Sequence, residues 1–392
     1  MILTGLEQLL RQPERLAGRR YALLAHGASV TAQLEPIHLA LQAAGRPPAV
    51  LLAPEHGYYA VEQDMVPAAS SSDPWTGLPI LSLYGDSADT LRPSPAVFSG
   101  LDLLVIDLQD VGSRYYTYLA TAVWAAEAAA EAGCAVWLLD RPNPLGGEVV
   151  EGNLRQPGFG SFVGAFEHPV RHGLTAGELL RLEARRTGWA EALEVWPMAG
   201  WQRSMAWADT GLPWVAPSPN MPAPGTALIY PGGCLVEATE LSEGRGTTRP
   251  FHLLGAPHLH PPDLARALAA RELPGVAFLP TYFRPQFQKH AGKVCGGVEV
   301  VVTDAASFQA YCTGVELLAV IRELDPEHFA WRRAPYEFVT DRPAIDLLAG
   351  SEECRRGIEG EADLAAWIAS WPEDEATFRE LRRQVLLYPE AS

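Results

Sequence analysis

The stretch LDLLVIDLQDVGSRYYTYLATAVWAAEAAAEAGCAVWLLDRPNP, Leu101 to Pro144, decides the fold. Its two apolar runs, Leu101–Leu108 and Ala135–Leu139, are continuous rather than alternating, as in strands covered on both faces. Between them Tyr115, Tyr118, Leu119, Ala122, Val123 and Ala126 follow i, i+3, i+4, i+7 spacing, which predicts a helix over Tyr115–Ala132. Strand, helix and strand in this succession make the crossover unit of a parallel sheet.

The same alternation extends outward. Tyr21–Ala25, Ala49–Ala53 and Ile80–Leu83 read as further buried strands, with a helix over Glu35–Ala44. On the other side Thr175, with Glu178 three residues on, is a capping box that starts a helix. An open, mostly parallel α/β sheet is expected. Residues 197–260 differ: they are rich in Pro, Gly and Trp and show little periodicity, and SPNMPAPG at 218–225 is the natural boundary. Beyond it lie one alternating strand, Gly297–Val302, and helices near Pro262–Ala270, Ser307–Leu324, Glu361–Ser370 and Glu373–Leu386. The expected organisation is a Rossmann-like parallel-sheet domain over 1–225 and a smaller α+β domain over 226–392.

A chain of 392 residues suits two domains. Thirty basic against 47 acidic residues leave a net charge of −17, which repels nucleic acid and anionic lipid, so neither is an expected partner. An anionic ligand would need a local cluster of Arg or Lys. Basic residues are almost all Arg; Lys289 and Lys293 are the two lysines. The cysteines, Cys134, Cys234, Cys295, Cys312 and Cys354, are scattered and odd in number, which reads as reduced thiols in a cytoplasmic setting. The opening MILTGLEQLLRQPERLAGRR does not have the pattern of a signal peptide, and no apolar run is long enough for a membrane span.

In open parallel sheets ligands bind beyond the carboxyl ends of the strands. There the sequence places His26-Gly27, then Pro54-Glu55-His56-Gly57, then Asp107 running into Gln109-Asp110-Val111-Gly112-Ser113-Arg114, then Asp140-Arg141-Pro142-Asn143. So many charged and polar groups at one edge point to a polar cleft, although Asp and Asn there would also cap the following helices. No GxGxxG follows the first strand, and no P-loop, HExxH or paired CxxC occurs, so nucleotide binding and standard zinc sites are not expected. In the second half, Glu237-Ala238-Thr239-Glu240-Leu241-Ser242-Glu243-Gly244-Arg245-Gly246-Thr247-Thr248-Arg249 gathers carboxylates, arginines and hydroxyls on a glycine-interrupted loop. Such a loop fits either a ligand site or a salt-bridged surface turn.

Taken together, PEHGYYA, DLQDVGSRYYTY, LDRPNPLGG, DTGLPWVAPSPNMP, YPGGCLVEATELSEGRGTTRPF and QKHAGKVCGG resemble the exo-β-N-acetylmuramidase (NamZ-type) family of glycoside hydrolases, from about Tyr21 to the C-terminus. The resemblance implies an exo-acting glycosidase that releases N-acetylmuramic acid from the non-reducing end of peptidoglycan fragments. It also implies a cleft between the two domains and no metal or organic cofactor. Glu55 of PEHG is then the leading catalytic candidate, with Glu243 and after it Glu237 as partners. Glycoside hydrolysis needs two carboxyl groups; Glu55, next to Tyr58 and Tyr59, is expected to be the acid. Arg171, Arg245 and Arg249, then Arg114 and Arg141, are candidates to hold the lactyl carboxylate. Asp107, Asp110 and Asp140 are candidates for sugar hydroxyls, His56 and His172 for orienting carboxylates, and Asn143, Asn220 and Thr247 for further contacts. Two positions depart from the family pattern: Ala25-His26-Gly27-Ala28 after the first strand, and Glu240, where Asn is common. A non-catalytic muropeptide-binding protein is the alternative reading.

Overall fold

The computed structural model describes residues 2–390. Seven strands form the larger sheet: β1 (Tyr21–Ala25), β2 (Val50–Ala53), β3 (Ser71–Ser72), β4 (Pro79–Ser82), β5 (Leu103–Asp107), β6 (Ala135–Leu139) and β7 (Leu193–Trp196). Their order is β3-β4-β2-β1-β5-β6-β7, and every pairing except β3–β4 is parallel. The expected strands are present, β1 and β6 to the residue and the others with ends moved by one or two residues. Neither edge strand was foreseen. The two residues of β3 are exposed serines, and β7 is largely half-exposed, so neither carries a continuous apolar run. Between β1 and β5 the winding reverses direction, and the crevice beyond their carboxyl ends is where ligands settle in such sheets.

Both faces are covered. One face packs Leu23, Leu51, Leu103, Val105 and Trp137 against Leu6, Leu9, Ile37 and Leu41, from the helices Gly5–Leu10 and Ile37–Ala43. The opposite face packs against the helices Tyr118–Glu131 and Ala176–Thr187, and this core continues without a break into the second half of the chain. The capping box at Thr175 and Glu178 is present, and Gly188 ends that helix in the left-handed region at φ 87°.

The smaller sheet is antiparallel, in the order β8-β10-β9, from β8 (Leu253–Ala256), β9 (Val276–Phe283) and β10 (Cys295–Val302). β10 is the expected strand with two more residues at its start. β9 escaped notice because Pro280 interrupts it; as an edge strand it tolerates the missing N–H. The stretch 197–260 holds more order than its composition suggests, including the helix Pro224–Gly233 and the tight turn Cys234–Ala238. Gly232 lies against Ala310 and Gly314 of the helix Ala310–Leu324 so closely that a Cβ on either glycine would collide with the other helix. The two helices expected near the C-terminus are one, Leu364–Arg383, with Pro372 inside it. Buried Trp371 and Phe378 on either side of the proline anchor both halves to the same core.

Candidate active site

The PEHG segment leaves the carboxyl end of β2 and turns sharply. His56 (φ 69°) and Gly57 (φ 79°) both adopt the left-handed region, which only glycine occupies without strain. This turn sends Glu55 inward, where it is buried. Thr117, just ahead of the helix Tyr118–Glu131, donates its hydroxyl to Glu55 Oε2 at 2.6 Å. The Met65 amide donates to Oε1 at 3.3 Å. Tyr58 and Tyr59, the neighbours expected to shift the Glu55 proton, instead point away: Tyr58 Oη is hydrogen-bonded to His38, and Tyr59 Oη donates to Asp73.

The opposite wall comes from the second half. The Gly232–Gly314 crossing seats the turn Cys234–Ala238, which delivers Glu237. One Glu237 oxygen accepts from Arg245 at 2.5 Å and the other from Tyr336 Oη at 2.7 Å. Arg245 also meets Asp64 Oδ1 at 3.0 Å and Glu243 Oε1 at 3.4 Å, so three carboxylates surround one guanidinium. Glu243 receives Lys289 Nζ at 2.9 Å.

A further carboxyl, Glu337, faces the same space. Glu337 and Phe338 are held at positive φ, 46° and 65°, a strained backbone that persists only where its surroundings impose it. Tyr84 Oη donates to Glu337 Oε2 at 3.0 Å. Burial first, and then the charge of Glu55, push the Glu337 carboxyl well above the usual range.

Glu55, Glu237 and Glu337 thus line one cavity, together with His56, Asp64, Asn220, Arg245 and Tyr336. Two halves of the chain meet there, and five of the expected site residues are brought together: Glu55, His56, Asn220, Glu237 and Arg245. Its free volume is about 40 Å³, far below the ~300 Å³ at which pockets begin to hold small molecules. The segment 61–66 closes it: Gln63 Oε1 accepts from Asn220 at 2.9 Å, Asp64 pairs with Arg245, and Met65 reaches Glu55.

Other expected residues are placed in structural roles. Glu243 is buried behind Arg245 and does not line the cavity. Asp107 and Arg141 form a buried bidentate pair, with Arg141 Nη2 2.7 Å from Asp107 Oδ2. Asp140 accepts from Thr175 Oγ1, the Gly177 amide and Tyr388 Oη, anchoring the start of the helix Ala176–Thr187. Asp110 accepts from the Gly112 amide at 2.7 Å, and burial pushes its carboxyl up to about 7. Beside it, burial holds His172 down near 3, so the imidazole stays neutral. Arg114 donates to the carbonyls of Asn153, His168 and Leu348, and Arg171 to that of Leu145. Asn143 shapes its own turn through the Leu145 amide and the Leu174 carbonyl. Thr247 bonds back to Gly244, Arg249 pairs with Glu299 at the surface, and Glu240 is exposed. His26 bridges Pro217 O and the Gln109 amide; buried and held near 3, it is a neutral tie between the ends of β1 and β5.

Sequence reasoning missed Asp64, Thr117, Tyr336 and Glu337. Thr117 lies inside the singled-out DLQDVGSRYYTY and was within reach. Tyr336-Glu337 sits in a segment with no periodicity and no glycine, and only the tertiary fold brings it to Glu55.

Carboxyls from both halves of the chain, converging in a closed polar pocket at the switch point of a doubly wound sheet, fit an acid–base hydrolase of the glycosidase class. Residues 21–225 match the family Exo-beta-N-acetylmuramidase NamZ, N-terminal, and residues 228–388 match Exo-beta-N-acetylmuramidase NamZ, C-terminal. The chain belongs to the NamZ family. It is 38% identical over 387 residues to the peptidoglycan beta-N-acetylmuramidase NamZ of Bacillus subtilis (strain 168), covering 98% of this chain and 91% of that protein. A DUF1343 family protein of Bacteroides fragilis NCTC 9343 has the same fold, with a TM-score of 0.86, 32% identity and 99% of each chain covered. A second DUF1343 family protein of that organism gives a TM-score of 0.75 at 26% identity over 100% of both chains.

Proposed function

We propose that the chain is an exo-acting glycoside hydrolase that releases N-acetylmuramic acid from the non-reducing end of peptidoglycan fragments. The single observation that carries this reading is the convergence of Glu55, Glu237 and Glu337 on one closed cavity. The B. subtilis relative is named a peptidoglycan beta-N-acetylmuramidase, which supports the same substrate class. The units 1–225 and 226–392 are the two sides of the cleft.

The proton donor is Glu337 rather than Glu55. Four carboxyls and one guanidinium line the cavity, and burial beside Glu55 raises the proton affinity of Glu337, whose Oε2 is steadied by Tyr84. In the reaction the Glu337 proton passes to the glycosidic oxygen as the C1–O bond breaks. Glu55, fixed by Thr117 and Met65, supplies the negative charge that stabilises the oxocarbenium-like sugar. Water then adds to C1 and passes a proton to the Glu337 carboxylate, which restores the acid, and both products leave with free hydroxyls. Glu237 and Arg245 neutralise each other and shape the floor. The segment 61–66 is a lid that must swing out to admit the sugar and, once closed, excludes water from the carboxyls. Five free thiols support a reducing, cytoplasmic setting, and recycling of cell-wall fragments is the process that such a hydrolase serves there.

Release of 4-nitrophenol from its β-N-acetylmuramide, compared with the matching glucosaminide, tests this. Turnover of the muramide and its loss by orders of magnitude in Glu55→Gln are expected. Turnover of neither glycoside, or full activity in the variant, would overturn the reading.

A further inference from the structure

A much larger cavity, of about 640 Å³, is lined by residues next in sequence to Tyr336 of the catalytic one. Tyr336, on the catalytic wall, follows directly on Pro335, which lines the larger cavity. The Tyr336 hydroxyl is bonded to Glu237 on the catalytic side, and the Arg332 guanidinium lies 5.5 Å from its ring centroid. The larger cavity is lined by five arginines, Arg322, Arg332, Arg333, Arg342 and Arg355, in a chain whose net charge is −17. Arg355 is neutralised by Asp346 and Glu359. The other four form no ion pair with a described residue. Arg322 and Arg342 donate to the carbonyls of Pro326 and Gly158. Arg332 touches Pro335 O and the Met65 thioether, and its Nε is buried with no hydrogen-bond partner among the described residues. Asp341 and Glu359 are the acids on the wall, and Glu359 is already held by Arg355 and by Trp331 Nε1.

Unpaired guanidiniums repel one another unless an anion joins them, and their planar forks match carboxylate. The volume suits a sugar-sized ligand, and Trp331 and Phe329 offer aromatic surface to a ring. We propose that this cavity is a binding subsite on the leaving-group side, taking the carboxylate of the next muramyl residue along the glycan. The inference rests on the glycosidase reading. In a strand of alternating glucosaminyl and muramyl units, a muramyl residue released from the end leaves the next carboxylate two sugars from the cut. Arg332, on the larger cavity, lies 5.5 Å from the ring of Tyr336, on the catalytic one, a separation that an extended glycan spans.

The experiment compares a muramyl-glucosaminyl disaccharide with the peptide-free tetrasaccharide of the same repeat. In the wild type kcat/KM for the tetrasaccharide should exceed that for the disaccharide about tenfold, the effect of ~1.4 kcal/mol. Arg322→Ala/Arg333→Ala should abolish this advantage and leave the disaccharide rate unchanged. Arg333→Glu, at an exposed position, should do the same with an intact fold. Equal rates on both substrates in the wild type, or an advantage that survives both variants, would overturn the proposal. A calorimetric titration with the tetrasaccharide and its carboxyl-reduced form, in the inactive Glu55→Gln background with and without the arginine substitutions, decides the subsite without turnover. Tighter binding of the native form where the arginines are intact, and not where they are replaced, supports it, and equal binding removes it. If the wild type hydrolyses neither substrate, the glycosidase reading fails while this titration still decides whether the arginines bind the carboxylate.

Discussion

Replacing Glu337 with Gln should stabilise the folded chain at neutral and alkaline pH while removing most of its activity. The native state holds the Glu337 proton to a higher pH than the unfolded chain does, because burial and the Glu55 charge oppose its ionisation. Above the ~4.3 of an unfolded glutamate, the unfolded chain has released that proton and the native chain has not. The unfolded state then binds fewer protons, so stability falls as pH rises, at up to ~1.4 kcal/mol per pH unit, until the raised native value is passed. Below the unfolded value both states hold the proton and the penalty disappears. Gln has nothing to ionise and escapes it. An unfolding entropy of ~2.1 cal/mol/K per residue converts that slope into ~1.7 °C per pH unit for 392 residues unfolding together. Scanning calorimetry of both proteins from about pH 5 to about pH 8 reads it directly. The Tm difference should widen in favour of the variant as pH rises, on top of a constant offset from the altered bond to Tyr84. A difference flat across that range would mean Glu337 ionises normally, and its role as proton donor would be lost with it.

Other substitutions separate chemistry from architecture. Thr117→Val removes the hydroxyl that fixes Glu55 and should lower kcat tenfold or more, since hydrogen bonds to charged groups contribute ~1.5–3 kcal/mol; an unchanged kcat would show that Glu55 needs no such anchor. Arg245→Ala strands Asp64, Glu237 and Glu243 and should cost ~3–5 kcal/mol of stability, seen as a lower urea midpoint. Because Arg245 is already engaged by three carboxylates, the ratio of muramide to glucosaminide turnover at permissive temperature should stay the same; a collapsed ratio would make it the lactyl clamp. Asn220→Ala frees Gln63 and should speed amide hydrogen exchange across 61–66 while exchange in β1 and β5 is unaltered.

The sheet was legible because its strands are buried on both faces and its helix caps are local. Tyr21–Ala25 and Ala135–Leu139 were placed to the residue, and Thr175 and Glu178 announced their helix. Edge elements were not legible: β7 and β9 are half-exposed, and Pro280 disguises the latter. At the site, Glu55 and Glu237 stood out from their motifs. The charged strand ends were half misleading. Asp107, Asp140 and Asn143 belong at that edge because the sheet needs its loops tied and its helix capped there, so their polarity reports architecture as much as ligand binding. Glu337 was invisible because its environment is set by Tyr84 and Glu55, which are hundreds of positions away in the chain and adjacent only in the fold.

Mass spectrometry of the products from a defined muramyl-glucosaminyl disaccharide puts the whole account to its most direct trial. The wild type should yield free N-acetylmuramic acid and N-acetylglucosamine in equal amounts, and Glu337→Gln and Glu55→Gln should leave the disaccharide intact. Undiminished cleavage by Glu337→Gln, or an uncut disaccharide with the wild type, would contradict it.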